Sequence, residues 1–298
     1  MTERSWQGEA AILFGGSGFV GSAVLRQFPA MVSVGRSTPK TSNRHIQVAD
    51  LDQLAALRDV QFDRVICCVG TSKHVALMER PLADALSLHL MPSVRILDQL
   101  CHRNLRSFVR LSTVLLYDET LAEMPVEENS PIAPHRNRYL LSQYLGEQAA
   151  HFYERYFPVA TVRLCNLFGP WSGERTDLVN EIIKQLRLGG QAKVRTRLPE
   201  RDFLFVEDAA RAIGAIAQAD QSGLFNLGSG AAASVGTIAD ALSRLSGCPI
   251  SSLDEPVNGI PRIWIDSSKL RAATGWTPRY SLEQALEKTW RESHAPGN

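Results

Sequence analysis

The stretch Ala-Ile-Leu-Phe-Gly-Gly-Ser-Gly-Phe-Val-Gly at residues 11–21 decides the fold of this chain. Four apolar residues lead into a turn with glycine at positions 15, 16, 18 and 21, and apolar residues at helical spacing follow at Val24, Leu25 and Phe28. This order of strand, glycine turn and helix is the context that a dinucleotide-binding fingerprint requires. The glycines allow a tight turn, a close approach of backbone to pyrophosphate and close helix–strand packing, and N–H groups at the helix start hold phosphate charge. The stretch therefore predicts a dinucleotide site.

Apolar runs typical of strands alternate with helical patterns over the first 165 residues. The strand-like runs lie at 10–14, 31–35, 45–48, 64–69, 107–112 and 158–164, and the helical stretches lie at 19–28, 51–58, 83–103 and 138–156. This alternation predicts an α/β fold with a Rossmann-type doubly wound parallel sheet. Beyond 166 the order is irregular, with helices expected at 176–188, 207–218 and 234–246, strand-like segments at 203–206 and 223–228, and short elements at 264–290.

The 298 residues are enough for one large domain or two intimately joined ones. We expect residues 1–165 to form a dinucleotide-binding domain to which 205–230 return. Residues 166–204 and 231–298 are expected to form a smaller, partly interleaved C-terminal substrate domain.

Composition argues against several classes of protein. A net charge of +1 gives no reason to expect nucleic acid or an anionic membrane as a partner. No apolar run approaches the length of a membrane span, and the N-terminal residues lack the apolar core of a signal peptide. Five cysteines without regular spacing argue against a disulfide framework and favour a reducing, cytoplasmic location. No His/Cys cluster has the spacing of metal ligands, so no metal is expected.

The residues that follow the second predicted strand help to distinguish an NAD(H) site from an NADP(H) site. An NAD site of this kind has an acidic residue there, about 20 positions after the glycine turn, which binds the ribose hydroxyls and would repel a 2′-phosphate. Here the strand ends in Gly35-Arg36-Ser37, and the Arg36 guanidinium offers a fork of donors that suits a phosphate. An ordinary surface arginine is the simpler alternative. The pattern favours NADP(H) over NAD(H).

Further motifs extend along nearly the whole chain. They are Asp50-Leu51, Arg110-Leu-Ser-Thr-Val-Leu-Leu-Tyr117, Tyr139-Leu-Leu-Ser-Gln143 with Gly146-Glu147, Arg163-Leu-Cys-Asn-Leu-Phe-Gly-Pro170, Arg201-Asp-Phe-Leu-Phe-Val-Glu-Asp208 and Phe225-Asn-Leu-Gly-Ser-Gly230. In this order and spacing the chain resembles the extended short-chain dehydrogenase/reductases, the NAD(P)-dependent nucleotide-sugar epimerase/dehydratase family. Residues 88–97, together with the short chain, are similar to the CDP-4-keto-dideoxyhexose reductases.

The resemblance implies catalytic roles for Tyr139 and Thr113. The tyrosine would exchange a proton with the sugar hydroxyl or ketone oxygen while nicotinamide exchanges hydride with the attached carbon, and Thr113 would share a hydrogen bond to the same oxygen. A hydroxyl at the C-terminal end of a strand also lies at the crevice of an open α/β sheet. Taken singly, Tyr139 reads as a half-buried helix residue and Thr113 as a strand former.

Gln143 departs from the family pattern, which has lysine four residues after the tyrosine. That lysine binds the nicotinamide ribose and lowers the pKa of the tyrosine, whereas glutamine keeps a hydrogen bond but supplies no charge. At an ordinary pKa near 10 only about one tyrosine in a thousand is ionised at pH 7. Because donating a proton to a ketone needs the neutral phenol, the change favours ketone reduction over epimerisation. It also raises the chance of a weak or lost activity.

His89 stands where the family has asparagine, so two linked positions differ together. A rearranged proton path with His89 as relay and a histidine bonded to backbone or water are both open. The complete set of cofactor-binding candidates is Gly15, Gly16, Ser17, Gly18, Phe19, Val20, Gly21, Arg36, Ser37, Asp50, Leu51, Val69, Gly70, His89, Ser112, Tyr139 and Gln143.

For the substrate, the resemblance assigns Asn166 and Arg201 to the diphosphate of a nucleotide-diphosphate sugar. Arg262 is a further candidate for the same role, and Thr113 is expected to contact the sugar. Salt bridges are the alternative role of these arginines, and Arg201 has Glu200, Asp202 and Glu207 as neighbours in sequence. Thr71-Ser72-Lys73-His74 is expected where sugar and nicotinamide meet.

The leading expectation is an NADPH-dependent 4-ketoreductase of a sugar nucleotide that acts in surface-polysaccharide precursor synthesis. A nucleotide-sugar 4-epimerase and a catalytically weakened NADP(H)-binding regulator are the alternatives. Dehydratases of the family place Asp-Glu after the strand hydroxyl, and the Val114-Leu115 found here argues against dehydration. The resemblance also implies a homodimer built on the two long helices near 83–103 and 138–156.

Overall fold

The computed structural model describes residues 11–42, 44–51, 54–70, 81–171, 177–257 and 259–293. Its centre is a seven-stranded sheet in which every pairing is parallel. In spatial order the strands are Gly223–Leu227, Val159–Leu164, Ser107–Thr113, Arg64–Cys67, Ala11–Phe14, Val32–Gly35 and His45–Gln47. The predicted doubly wound sheet is confirmed.

The order of the strands reverses beside Ala11–Phe14. The chain goes from this strand outward to Val32–Gly35 on one side and later fills the other side from Arg64–Cys67 onward. The resulting crevice lies at the carboxyl ends of the two central strands, which is where open α/β sheets bind ligands.

Alternating side chains of the central strand enter two different cores, as the period of a strand requires. Leu13 belongs to a core shared with the helices Phe19–Gln27 and Val206–Gln218. Ile12 and Phe14 belong to a core on the other face, which includes residues of helix Met91–Leu100. Helices Leu82–His89 and Arg138–Phe152 pack against each other on that second side.

A smaller unit follows residue 166 and has a core of its own. Its longest strand, Glu200–Phe205, pairs with Asn166–Phe168, Ala232–Ser234 and Arg262–Ile263, and a separate pair joins Ala192–Val194 to Ile250–Ser252. Its helices are Leu178–Gly189, Val235–Ser246 and Leu282–Glu292, whereas helix Ser268–Thr274 packs against helix Val206–Gln218 and strand Gly223–Leu227 of the main core. Short 3-10 helices lie at Leu54–Leu57, Val114–Leu116, Pro134–Arg136 and Tyr153–Arg155.

Two predicted helices differ from what is observed. The stretch 83–103 forms two helices, Leu82–His89 and Met91–Leu100, separated at Leu90. Pro92 explains the break, because it has no N–H for the preceding turn and its ring clashes with that turn. The stretch 51–58 forms only the 3-10 helix Leu54–Leu57 among its described residues.

No helix among the described residues is long and apolar enough to cross a membrane. Within the same residues, no three His, Cys, Asp or Glu side chains gather in a way that would hold a metal ion.

Candidate cofactor and active site

The glycine turn is a backbone cradle that side chains would fill. Gly15 has a φ of +83°, and a Cβ there would lie 2.6 Å from the carbonyl of Cys68, the residue after the neighbouring strand Arg64–Cys67. A Cβ on Gly21 would lie 2.2 Å from the Gly15 carbonyl oxygen, so the helix Phe19–Gln27 rests directly on the turn. Gly18 caps this helix without a side-chain hydrogen bond. These residues fit a pyrophosphate, which needs close backbone approach and the N–H groups of a helix start.

A cavity of ≈ 530 Å³ extends from this turn along the ends of the strands. Many of the predicted cofactor-binding residues line it, namely Gly15, Gly16, Ser17, Gly18, Arg36, Ser37, Asp50, Leu51, Val69 and Gly70. Arg95, which is not among the predicted residues, also lines the cavity, and its guanidinium lies 3.7 Å from the Asp50 carboxylate. Its signal was weak, because one arginine on an amphipathic helix is usually a solvated residue.

A second cavity, of ≈ 470 Å³, lies on the other side of the turn. Phe19 and Val20 line this cavity rather than the first, and so do Ser112, Thr113 and Tyr139. The first cavity is thus lined by the glycines of the turn, and the second by the residues that carry the Ser112, Thr113 and Tyr139 hydroxyl groups. Gly21 lines neither of the two cavities and serves the packing of the helix.

Tyr139 is positioned by the start of its helix. The Asn137 side chain accepts a hydrogen bond from the Leu140 N–H at 2.9 Å and so fixes the first turn of Arg138–Phe152. The phenol is 8% exposed and hydrogen bonds to the side chains of Thr113 and Gln143. Burial raises the pKa of Tyr139, whereas these two hydrogen bonds and the charge of Arg110 lower it.

Gln143 is held on both ends of its amide. Its Oε1 accepts from Arg110 Nη2 at 3.1 Å, and its Nε2 lies 3.0 Å from His89 Nδ1. The His89 ring meets the Tyr139 ring edge to face, with 5.2 Å between centroids. Burial, followed by the charge of Arg110, lowers the pKa of His89 to about 4, so the ring is neutral near pH 7. The Nδ1 atom of His89 is therefore bonded to the Gln143 side chain, which is compatible with a relay, and its role stays a prediction.

Arg110 was quoted in the sequence analysis only as part of a strand motif, yet the structure places it at the centre of this group. The side chain comes from strand Ser107–Thr113, is 2% exposed and reaches across to the helix of Tyr139. A charged residue between the apolar Val109 and Leu111 of a buried strand was the available signal. Its partner Gln143 could not be identified from the sequence, because the strand and the helix come together only in the folded protein.

A buried ion pair lies beside this group. The Arg163 guanidinium donates to both oxygens of Glu147, at 3.0 and 2.7 Å, and the Ser112 hydroxyl donates to Glu147 at 2.5 Å. The Ser112 hydroxyl therefore donates to a carboxylate, and its predicted contact with a cofactor stays a prediction. Tyr117 donates to Asn226 at 2.7 Å next to Arg163 and ties the cluster to the returning strand Gly223–Leu227.

The predicted substrate residues lie in different places. Asn166 and Arg201 line the second cavity together with Thr113. The Arg201 guanidinium donates to the carbonyls of Glu200 and Ile260 and forms no ion pair with the three neighbouring acids that were considered. Arg262 does not line the cavity; it is 59% exposed and its Nε lies 2.6 Å from Glu200. Residues Thr71–His74 lie outside the described residues.

Comparison with known proteins agrees with this geometry. Residues 11–228 match the "NAD dependent epimerase/dehydratase family". The chain is 21% identical to a GDP-L-fucose synthase of Sinorhizobium fredii, with 93% of this chain and 92% of the relative covered. It is 25% identical to a UDP-glucose 4-epimerase of Corynebacterium glutamicum, with 96% of both chains covered.

Solved structures show the same fold. The UDP-glucose 4-epimerase of Thermotoga maritima, solved with UDP-glucose, superposes with a TM-score of 0.82 at 20% identity and covers 95% of this chain and 98% of its own. A UDP-N-acetylglucosamine 4-epimerase from Methanobrevibacter ruminantium M1, in complex with UDP-N-acetylmuramic acid, has a TM-score of 0.84 at 20% identity, with 95% and 97% covered.

The family match covers most of the chain, and the glycine cradle that the family requires is present. The protein is an NAD(P)-dependent enzyme of the extended short-chain dehydrogenase/reductase type, and it belongs to the NAD-dependent epimerase/dehydratase family.

Proposed function

We propose that this protein is an NADPH-dependent oxidoreductase that reduces the 4-keto group of a sugar nucleotide in polysaccharide precursor synthesis. One observation carries the proposal: the Tyr139 phenol, bonded to Thr113 and Gln143, faces a cavity that adjoins the glycine turn. A proton donor, a second hydroxyl and a dinucleotide cradle are the three parts that such a reduction needs.

In this proposal the cofactor's pyrophosphate is held by the backbone of Gly15–Gly18 and the start of helix Phe19–Gln27. When bound, reduced nicotinamide supplies the hydride. Tyr139 donates its hydroxyl proton to the ketone oxygen as hydride reaches the attached carbon, and the tyrosinate left behind regains a proton from water. Thr113 hydrogen bonds to the same oxygen and stabilises the charge that develops there.

The direction of reaction follows from the protonation of Tyr139. Burial raises the pKa of this phenol more than its neighbours lower it, so it is neutral near pH 7. A neutral phenol is ready to give a proton to a ketone, whereas oxidation of a hydroxyl must start from the ionised form. The resting state therefore favours reduction.

Asn166 and Arg201 are the proposed contacts to the substrate diphosphate. Both line the cavity that holds Thr113 and Tyr139, and a guanidinium fork suits a diphosphate. Arg262 is left out of the proposed site, because it pairs with Glu200 on the surface. The relatives and structural neighbours whose names specify UDP-sugars and a GDP-sugar support a nucleotide-diphosphate sugar as the substrate class.

NADP(H) is the proposed cofactor form. Arg36 and Ser37 are exposed at the rim of the first cavity, at the tip of strand Val32–Gly35, where an NAD site would carry an acid. The Asp50 carboxylate, on the same cavity, is directed toward Arg95.

A nucleotide-sugar 4-epimerase is the second candidate, favoured by the names of several relatives. An epimerase uses Tyr139 in both directions within one cycle and leaves no net change in cofactor. An NADP(H)-binding regulator with weakened catalysis is the third candidate, motivated by Gln143 in place of lysine.

The discriminating experiment incubates the purified protein with NADPH and a panel of 4-keto sugar nucleotides of differing nucleobase. Consumption of NADPH in proportion to the reduced sugar supports the proposal. Inversion of UDP-glucose or UDP-N-acetylglucosamine without net NADPH consumption replaces it with the epimerase. Tight NADPH binding without either reaction supports the regulator.

We also propose a homodimer. Three exposed apolar residues, Leu82, Leu88 and Met91, belong to the helices Leu82–His89 and Met91–Leu100. Phe152 ends the helix Arg138–Phe152 and is half exposed. Light scattering on the purified protein tests this, and a monomer at micromolar concentration contradicts it.

A further inference from the structure

Arg110 is a buried cation without a carboxylate partner. Its side chain is 2% exposed, and no ion pair joins it to an acid among the described residues. Its Nη2 donates to Gln143 Oε1 at 3.1 Å, while Nε and Nη1 have no hydrogen-bond partner in the part of the chain that the structure describes. An arginine keeps its charge even when buried, and burial of an unpaired charge is costly unless the charge has a task.

The helix of Tyr139 has a gap for this guanidinium. A Cβ on Gly146 would lie 2.2 Å from Arg110 Nη2 and 2.8 Å from Cζ, so any other residue at this position would displace the charged group. Gly146 lies in the middle of the helix Arg138–Phe152, where glycine weakens the helix relative to alanine. The sequence thus keeps an unfavourable helix residue at the one place where the guanidinium passes.

The acidic neighbour Glu147 acts on Arg110 through its charge but is hydrogen-bonded to other groups. Glu147 accepts two hydrogen bonds from Arg163 and one from Ser112, so its charge is matched by Arg163. The pair and Arg110 together leave one net positive charge behind Tyr139. Arg136, three residues before Tyr139, is paired with Glu119 and donates to the carbonyls of Leu115 and Tyr117.

The orientation of the Gln143 amide links this charge to the phenol. Because Oε1 accepts from Arg110, the Nε2 end is left for His89 Nδ1 and for Tyr139. His89 is neutral and its Nδ1 accepts, which gives Gln143 the role of donor. A guanidinium that polarises the carbonyl makes the amide N–H a stronger donor toward the phenol oxygen.

We propose that Arg110 is a positioning residue whose fixed positive charge acts through the Gln143 amide to stabilise the Tyr139 tyrosinate formed when the proton leaves. The charge that the family resemblance assigns to a lysine at position 143 thus comes from a strand, through the gap at Gly146. The inference rests on the proposed function, in which Tyr139 transfers the proton. It also argues that Gln143 does not mark a lost activity.

Among the residues that the structure describes, the charged and titratable groups placed next to Tyr139 include Arg110 from strand Ser107–Thr113 and His89 from helix Leu82–His89, and the Glu147–Arg163 pair lies one layer behind. The test therefore changes Arg110 and measures the titration of Tyr139 itself. The tyrosines are replaced biosynthetically by difluorotyrosine, whose more acidic phenol titrates while the protein is folded. The fluorine resonance of position 139 is assigned by its absence in Tyr139→Phe.

Arg110→Met keeps the length of the side chain and removes the charge. We expect the titration midpoint at position 139 to rise by about one pH unit or more, as expected when a nearby opposite charge is removed. Gly146→Ala, which displaces the guanidinium without removing it, should shift the midpoint in the same direction and serves if Arg110→Met does not fold. Arg155→Met, which removes an exposed charge from the 3-10 helix Tyr153–Arg155, is the matched control and should leave the midpoint unchanged.

Charge restoration provides the opposite test. In the Arg110→Met background, Gln143→Lys should return the midpoint toward that of the unsubstituted protein. Gln143→Lys alone places two cations together and should lower the melting temperature. An unchanged midpoint in a folded Arg110→Met or Gly146→Ala variant overturns the inference. Because the titration needs no substrate, a shifted midpoint in a protein that reduces no sugar nucleotide would reject the proposed function alone.

Discussion

The glycine turn at Gly15–Gly21 and the cluster behind Tyr139 solve the problem of binding charge in opposite ways. The turn uses backbone: a Cβ on Gly21 would lie 2.2 Å from the Gly15 carbonyl oxygen, so the site exists because side chains are absent. The cluster uses buried side chains, with Arg110, Gln143 and His89 bonded in series. A backbone site depends on a few local residues, whereas a side-chain site depends on three elements that meet only in the folded protein.

The largest expected effect separates the two regions. Tyr139→Phe removes the proposed proton donor and should lower the rate of reduction by about 10²- to 10⁴-fold, the usual contribution of a general acid. NADPH titration followed by fluorescence should be unchanged, since the turn is untouched. Tyr144→Phe loses a phenol on the same helix and should reduce the substrate normally. Full turnover by Tyr139→Phe would move the proton donor elsewhere.

The matching change in the turn is Gly21→Ala. A methyl group forced against the Gly15 carbonyl should cost about 3 kcal/mol of unfolding free energy, at the upper end for overpacking, and should weaken NADPH binding. Urea denaturation and NADPH titration measure the two effects. A Cβ on Gly189 would meet nothing within 4 Å, so Gly189→Ala should leave both unchanged. A stable Gly21→Ala protein with normal affinity would contradict the close packing of helix on turn.

The cluster behind Tyr139 should make the free energy of unfolding depend on pH, because it contains the buried His89, whereas the glycine turn contains no titratable side chain. Folded His89 has a pKa of about 4, whereas an unfolded histidine titrates near 6.5. Between these values the unfolded chain binds more protons, so the free energy of unfolding should fall by up to about 3 kcal/mol as pH drops from 6.5 to 4.

Denaturation of the His89→Asn variant across this range should show a smaller loss of stability than the unsubstituted protein. His151 is the matched control, because its side chain is 75% exposed and His151→Asn should keep the full pH dependence. Equal pH dependence in His89→Asn and the unsubstituted protein would mean that His89 is not held neutral.

The smallest expected effect concerns Arg36, at the rim of the first cavity. Arg36→Ala should weaken NADPH binding by about 2 kcal/mol, the scale of a hydrogen bond to a charged group, and leave NADH binding nearly unchanged. Isothermal titration with both cofactors measures the difference. Equal losses for NADPH and NADH would reject the assignment of Arg36 to a 2′-phosphate.

The sequence predicted the turn and the sheet well because both are local. Four apolar residues before Gly15 and the alternation after them determine a parallel sheet whatever the rest of the chain does. The break at Leu90 was missed although Pro92 is visible in the sequence, because the apolar pattern continues through it. Here the missing N–H of proline outweighed the periodicity.

Several residues of the candidate site were predicted from the sequence, but the hydrogen bonds between them were not. Thr113, Tyr139, Asn166 and Arg201 all line one cavity, but nothing in the sequence pairs Arg110 with Gln143 across 33 positions. Gln143 alone suggested a missing charge, since an amide carries none. The structure supplies the cation from another element, a relation that depends on how strand and helix pack.

The path of the chain has a consequence for dividing this protein. Strand Gly223–Leu227 closes the edge of the main sheet against Val159–Leu164, and helix Val206–Gln218 covers the core beside it. A fragment that stops at residue 165 would present a bare apolar strand edge, which invites association with other chains. During synthesis the main sheet is therefore completed only after residues 166–204 have been made, so its last strand cannot pair before part of the smaller unit has left the ribosome.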